Sequence, residues 1–262
     1  MPEISIVTLN TWKGEGDYAG RLTAMAGLLS ALAPDIVLLQ EVFAVPGIGL
    51  NTAETLARAL EMNMAWHPAR AKVRRFGGAA VMSQSGLAVL ARAEILSSVA
   101  VPLPEDAADG ERIAQIARVA PISPREGAGA AGEIAVLNLH LTHLPDAHTL
   151  RRQQFAAAVA ALPGDRMCIA GGDFNTYVDP RWLESVPGAF PAGQIANTRF
   201  AAPGHENLPT LLDLPDESGC IDHLLVLTPA GHTAAAVTGF GHHGAADCSD
   251  HLAVRAVLAM QE

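Results

Sequence analysis

Cysteine is scarce. Cys168, Cys220 and Cys248 are the only three, odd in number and widely spaced, with no Cys-x-x-Cys pair. That argues against a disulfide framework or a thiolate zinc site and reads as free thiols in a reducing compartment. Aromatic residues make up 5% of the chain, so alanine, leucine and valine must fill most of the core. Basic residues are also few: 17 Lys and Arg stand against 27 Asp and Glu, a formal net charge of −10. A nonspecific nucleic-acid binder carries a basic face, so broad capture of a polyanion is disfavoured; a locally basic or metal-bearing cleft is not. No apolar run approaches a membrane span, and the start "MPEISIVTLNTW" has no basic segment followed by a long apolar stretch. A cytoplasmic protein is the expectation.

What is present is apolar chain in short regular pieces. The 262 residues are half hydrophobic. They contain no long linker or charge block, so one domain over 1–262 is expected. Apolar runs predict strands at Ile4–Asn10, Ile36–Glu41, Ser85–Arg92, Ile113–Ile122, Glu133–Leu141, Met167–Ala170, Ile221–Leu227 and His251–Leu258. Helical spacing predicts helices over Arg21–Ala33, Thr52–Met62 and Ala147–Leu162, the second with Thr52 and Thr55 as hydroxyl caps. Gly- and Pro-rich loops are expected at Phe43–Leu50, Pro102–Gly110, Pro121–Gly132 and Pro187–Glu217.

A pattern recurs. "ISIVTLN", a helix and "IVLLQE" are echoed by "IAVLNLH", a helix and "CIAGGDFN", with 31 residues from Asn10 to Glu41 and 33 from His140 to Asp173. Strand–helix–strand units suit sheets covered by helices, whose strand ends collect ligand sites. Asn10, Glu41, His140, Asp173 and Asn175 lie at or just past strand ends, and Asp222, Asp250 and His251 lie at strand starts. A strand entering antiparallel begins on the rim where its neighbours end. Taken singly, each is explained by a turn, a cap or a buried hydrogen bond. Taken together, the eight suit metal-assisted hydrolysis of a phosphoester. Glu41, Asp173 and Asp250, with the neutral Asn10, offer hard oxygen ligands for Mg²⁺ or Mn²⁺. Histidine carries protons near neutral pH, and Asn175 can donate to a phosphoryl oxygen.

In order, "TLN", "LLQE", "NLHL", "GGDFN", "IDHLLV" and "SDHLAV" resemble the endonuclease/exonuclease/phosphatase superfamily, the DNase I-like fold, over residues 4–258. The resemblance implies a four-layer α/β sandwich of two mixed sheets flanked by helices. It implies that Glu41 holds the metal beside Asn10 and Asp250, and that His251, oriented by Asp222, handles protons. Asp173 and Asn175 would position nucleophile and phosphate, and His140 would bind a non-bridging oxygen or help the leaving group. Two departures stand out. Trp12 occupies a position where many family nucleases have an acid, and Gln84 and Ser85 stand where DNase-like members supply an acidic partner to the middle histidine.

The preferred substrate reading is a small or lipid-derived phosphoester. A DNA or RNA nuclease is the second reading, and a non-catalytic phosphate binder the third. "ARAKVRRFGG" is read as a mobile loop, either merely solvated or contacting substrate phosphates through Arg74 and Arg75. His143 is placed away from the site, Arg151 and Arg152 at the surface, and His242 and His243 in an exposed loop; Trp66 and Trp182 are assigned to packing.

Overall fold

The computed structural model describes residues 3–122, 132–163, 166–176, 209–214, 219, 221–229 and 235–259, and the backbone of 195–200. In chain order the strands are β1 (Glu3–Asn10), β2 (Ile36–Val45), β3 (Leu50–Asn51), β4 (Asn63–Phe76), β5 (Ala79–Ala91), β6 (Ile95–Pro102), β7 (Ile113–Val119), β8 (Ile134–His140), β9 (Cys168–Asp173), β10 (Ile195–Phe200), β11 (Asp222–Pro229), β12 (Ala236–His243) and β13 (Ala253–Ala259). The α-helices are α1 (Tyr18–Leu32), α2 (Thr52–Leu60) and α3 (His148–Ala160).

Two sheets form. One runs β12-β13-β1-β2-β5-β4, with β3 on β2; the other runs β10-β11-β9-β8-β7-β6. The sequence repeat is a structural one. β1 and β2 are parallel around α1, β8 and β9 are parallel around α3, and every other pairing is antiparallel. Alternation then sorts the side chains. Ile4, Ile6, Ile36 and Leu38 of one sheet pack on Val136, Ile169, Leu224 and Val226 of the other. Val7, Leu9, Val37 and Leu39 turn outward to Met25 and Leu29 of α1 and Leu56 of α2. Leu137, Leu139 and Ala170 turn outward to Phe155 and Val159 of α3. The result is helix, sheet, sheet, helix: the expected α/β sandwich.

Several local readings are corrected. β2 continues to Val45, so Phe43–Val45 is strand rather than loop. The α2 cap is Asn51, which accepts from the N–H groups of Ala53 and Glu54; Thr52 is buried and donates to the Phe43 carbonyl. The basic segment is not a loop but β4, turned back into β5 at Gly77 and Gly78. β4, β6, β10 and β12 went unread in the sequence, and all four are sheet edges. An edge strand has one neighbour and at most one well-buried face, so it lacks the apolar run that marks a central strand.

Candidate active site

The apolar layer between the sheets turns polar toward one rim. Gln40 Nε2 donates to Asn138 Oδ1 at 2.7 Å and to Thr8 Oγ1 at 3.0 Å, while Asn138 Nδ2 donates to the carbonyls of Leu39 and Ala88. All three side chains are fully buried, so this amide layer ties the sheets together beneath the rim. Sequence reading assigned Gln40 and Asn138 no role; the available signal was a carboxamide interrupting an apolar strand.

Above that layer, Asn10 ends β1 and crosses to the other sheet. Its Nδ2 donates to Asp173 Oδ2 at 2.9 Å, and its Oδ1 accepts from the Trp12 N–H. Strand register sets His140 beside Asp173 and Asp173 beside Asp222 in one row. His140 Nε2 lies 3.5 Å from Asp173 Oδ2. The glycines before Asp173 make this row possible. A β-carbon on Gly172, whose φ is +143°, would fall 1.9 Å from the Leu139 carbonyl oxygen, and one on Gly171 would fall 2.5 Å from Leu224. Asn175 donates its N–H to Asp173 Oδ1 at 2.8 Å and its Nδ2 to the Leu141 carbonyl.

His251 arrives from the segment before β13, which pairs with Leu211 and is fixed by the Leu212 N–H on the Asp250 carbonyl, the Leu252 N–H on the Thr210 carbonyl and the Ser249 hydroxyl on the Asn10 carbonyl. Its Nδ1 lies 2.7 Å from Asp222 Oδ2, which also accepts from Thr210 Oγ1 at 2.6 Å. Its Nε2 faces Asp250 Oδ1 at 3.9 Å and Asp173 Oδ2 at 4.0 Å. Burial and the Asp222 charge push the Asp173 carboxyl up to about 7. Burial pulls the His251 imidazole down, but Asp222, by charge and hydrogen bond, with Asp173 and Asp250, outweighs it and raises it to about 10. Burial, helped by Arg112, Lys13 and His251, holds His140 well below the usual histidine range, so it is neutral.

Glu41 is not at a strand end. It sits at a β-bulge where the β2–β5 register shifts between Leu39 and Val42, with φ +53°. Its carboxylate forms an ion pair with the Lys13 ammonium. Trp12, Lys13 and Asn175 are also left-handed, so four of the seven positive-φ non-glycine residues among the described residues line this one cleft. Such strain persists only where surroundings enforce it. For Trp12 and Lys13 the enforcer is Arg21, 3% exposed, which donates to the carbonyls of Thr11, Trp12, Lys13, Glu15 and Cys248 and lies 4.9 Å from the Trp12 ring centre. It locks the loop after β1 to the segment carrying Asp250.

The cleft encloses about 430 Å³. Asn10, Glu41, His140, Asp173, Asn175, Asp250 and His251 line it, with Asp222 behind His251. Glu41 and Asp250 both line the cleft; burial raises the Asp250 carboxyl, and the Glu41 charge adds to that rise against the lowering by His251. An all-oxygen set of carboxylates with an adjacent carboxamide fits a hard divalent cation. The buried trio Asp173, Asp222 and His251, whose donor atoms lie within 4.8 Å of one another, is a second acidic cluster with room for an ion, although Asp222 Oδ2 is already committed to Thr210 and His251.

Arg70, Lys72 and Arg74, on β4 of the sheet that also carries Asn10 and Glu41, line the cleft too. Arg75 is not with them: strand alternation turns it to the far face, where it is exposed. Arg112 and His143 also line the cleft. Arg112 makes a bidentate pair with the buried Asp109, and His143 Nδ1 lies 3.0 Å from Asp109 Oδ1, so His143 is at the site after all. Arg151 is buried, donating to the carbonyls of Thr142 and Leu144, whereas Arg152 is exposed. His242 and His243 are half-buried on β12, not in a loop. Trp66 packs against the α1–α2 core, and Trp182 lies outside the described residues.

A family model described as "Endonuclease/Exonuclease/phosphatase family" matches residues 7–251. No curated protein matches. Among solved structures, an endonuclease/exonuclease/phosphatase from Beutenbergia cavernae superposes with a TM-score of 0.72 at 19% identity, over 99% of this chain and 72% of that one. D. rerio TDP2 complexed with single strand DNA product gives 0.66 at 18% identity, over 98% and 99%. The human Nocturnin catalytic domain with bound sulfate gives 0.67 at 16% identity, over 98% and 94%.

Proposed function

Since the chain belongs to the endonuclease/exonuclease/phosphatase family, whose members are generally metal-dependent hydrolases of phosphoesters, we propose that it hydrolyses a phosphoester by attack of water at phosphorus. The preferred substrate is a small or lipid-derived phosphoester, and residues 1–262 act as one catalytic domain. The observation that carries this reading is the convergence of Asn10, Glu41, His140, Asp173, Asn175, Asp250 and His251 on one cleft, with Asp222 bonded behind His251.

Glu41 and Asp250 would hold a divalent ion, Mg²⁺ or Mn²⁺, with the remaining lone pair of Asn10 Oδ1 beside them. When bound, such an ion polarises the phosphoryl group and acidifies water. The chain supplies the rest. Asp222 commits His251 Nδ1, so the proton that His251 moves is carried on Nε2. Asp173, held by Asn10 and the Asn175 N–H, orients the attacking water. Neutral His140 donates to a non-bridging oxygen as charge develops there. Ser85, which stands where an acidic partner of His140 was expected, instead binds Arg74. The buried, unpaired Cys168 and Cys248 support a reducing, cytoplasmic setting. No helix among the described residues is long and apolar enough to cross a membrane.

The second reading is a nuclease, favoured by the five Lys and Arg side chains lining the cleft: Lys13, Arg70, Lys72, Arg74 and Arg112. A neighbour in fold, TDP2, was captured with a single-stranded DNA product. The test compares metal-dependent hydrolysis of a generic diester, a monoester, plasmid DNA and a lipid phosphoester. Turnover of a small or lipid ester above DNA is expected. Cleavage confined to DNA selects the nuclease, and a blank on all four with metal bound selects a non-catalytic phosphate binder.

A further inference from the structure

Resting on the phosphoesterase reading, we propose that Arg70, Lys72 and Arg74 form a subsite for a second, non-scissile phosphate of the substrate. The three alternate along β4 after the register shift between Pro68 and Arg70, so all present to the cleft. What holds them matters most. Arg74 donates to the hydroxyls of Ser83 and Ser85, both at 2.8 Å. Arg70 donates to the Asp109 carbonyl, over Gly110, where an added β-carbon would lie 3.0 Å from the guanidinium carbon. Both guanidiniums are therefore aimed by neutral partners that leave their charge uncompensated. Lys72 has no hydrogen-bond or ion-pair partner for its ammonium among the described residues. Arg112, by contrast, is neutralised by Asp109.

Three like charges on one wall repel each other. Burial and then Arg74, Arg70 and Lys13 lower Lys72; burial and then Arg70 lower Arg74. An anion in the cleft relieves that repulsion. Forked guanidiniums with an ammonium between them match the oxygens of a phosphate group. The scissile group alone does not account for them. A diester carries one negative charge, and His140, Asn175 and the proposed metal site already serve it. Glu41 and the three basic residues line the same cleft, so one ligand can reach both the proposed metal site and the basic strand.

The test is calorimetry with butyl phosphate and butanediol bisphosphate on the full chain and on Lys72→Gln, with and without Mg²⁺. Because the Lys72 ammonium has no partner among the described residues, this variant keeps the fold. Arg74→Gln follows, with circular dichroism as control. The bisphosphate should bind about tenfold or more tighter than the monophosphate. That advantage should shrink in Lys72→Gln and vanish in Lys72→Gln/Arg74→Gln. Equal affinities in the unmodified chain, or an advantage that survives both changes, overturns the subsite. Turnover of bis(p-nitrophenyl) phosphate, run in parallel, separates the two failures. Binding preference without turnover retains the subsite and sinks the enzyme reading, whereas turnover without preference does the reverse. A single-stranded oligonucleotide identifies the source of the phosphate. If Lys72→Gln lowers its log–log salt slope by about one, the second phosphate comes from a polynucleotide backbone. If the oligonucleotide fails to compete with the bisphosphate, it comes from a small molecule. Either outcome supports the subsite.

Discussion

In the proposed reading, Glu41 is decisive for ligand binding and minor for folding. Its carboxylate pairs with Lys13 and lines the cleft with Asp250, outside the apolar layers. Glu41→Gln should weaken divalent-ion binding by roughly ten- to a hundredfold, measured by calorimetry, while the melting temperature hardly moves. Unchanged affinity would remove Glu41 from the ligand set. Asp222 and His251, hydrogen-bonded to each other, are expected to act as a unit. Asp222→Ala, His251→Ala and the double variant should each lower kcat/KM by a similar factor, on the order of a thousand or more. A double variant much worse than either single would mean separate roles.

At the scale of elements, the site is assembled by irregularities in otherwise regular strands. The bulge in β2 turns Glu41 into the cleft, and the glycine pair in β9 lets β8 and the facing sheet approach Asp173. Gly172→Ala should destabilise by more than about 4 kcal/mol or prevent folding, since the new β-carbon meets backbone and the φ is unfavourable. The expected readout is loss of soluble protein or of the cooperative melt. The Arg21 clamp joins two loops through five carbonyls. Arg21→Ala should cost roughly 2–3 kcal/mol by denaturant titration. It should also lower kcat, because Lys13 and Asp250 lose their fixed relation.

Over the whole molecule, an acidic chain gathers five of its 17 Lys and Arg on one cleft, beside five Asp and Glu. Salt dependence of kcat/KM on an oligonucleotide and on a small diester reads out what those cations are for. Removing one cation that neutralises a phosphate should lower the slope by about one unit. Arg74→Ala should flatten any slope on the oligonucleotide, and Arg75→Ala, on the far face, should leave it alone. A flattening by Arg75→Ala would contradict the strand geometry. Acid stability has a similarly local origin. Burial pushes the Asp109 carboxyl up, but hydrogen bonds from Arg112 and Thr142 and nearby charge outweigh it and hold the group below its ordinary value of 3.8. Its folded value lies under its unfolded one, so the stabilisation is present above the unfolded value and is lost as pH falls through the folded one. Asp109→Asn should flatten the acid limb of the stability–pH curve below about pH 4; an unaltered limb would mean the pair with Arg112 contributes nothing.

How much of this was legible in the sequence follows from what each level depends on. Central strands β1, β2, β8, β9 and β11 are buried on both faces and read as apolar runs, so their existence, their repeat and the polar residues at their ends were visible beforehand. Asn10, His140, Asp173, Asn175, Asp222, Asp250 and His251 reach one rim because strand direction alone sends them there. The edge strands were not visible, because each lacks a second neighbour and a continuous apolar face. β4 therefore passed for a loop, and its alternation, which separates Arg74 from Arg75, could not be used. His143 and Arg151 were misplaced for a related reason. Their positions depend on Asp109 and on carbonyls of the turn after β8, partners that lie far away in the chain or in a turn of no regular period. Local periodicity determined which residues could meet at the rim. Which of them face one another, which charges are neutralised, and which remain turned toward a ligand were decided only when two sheets packed face to face.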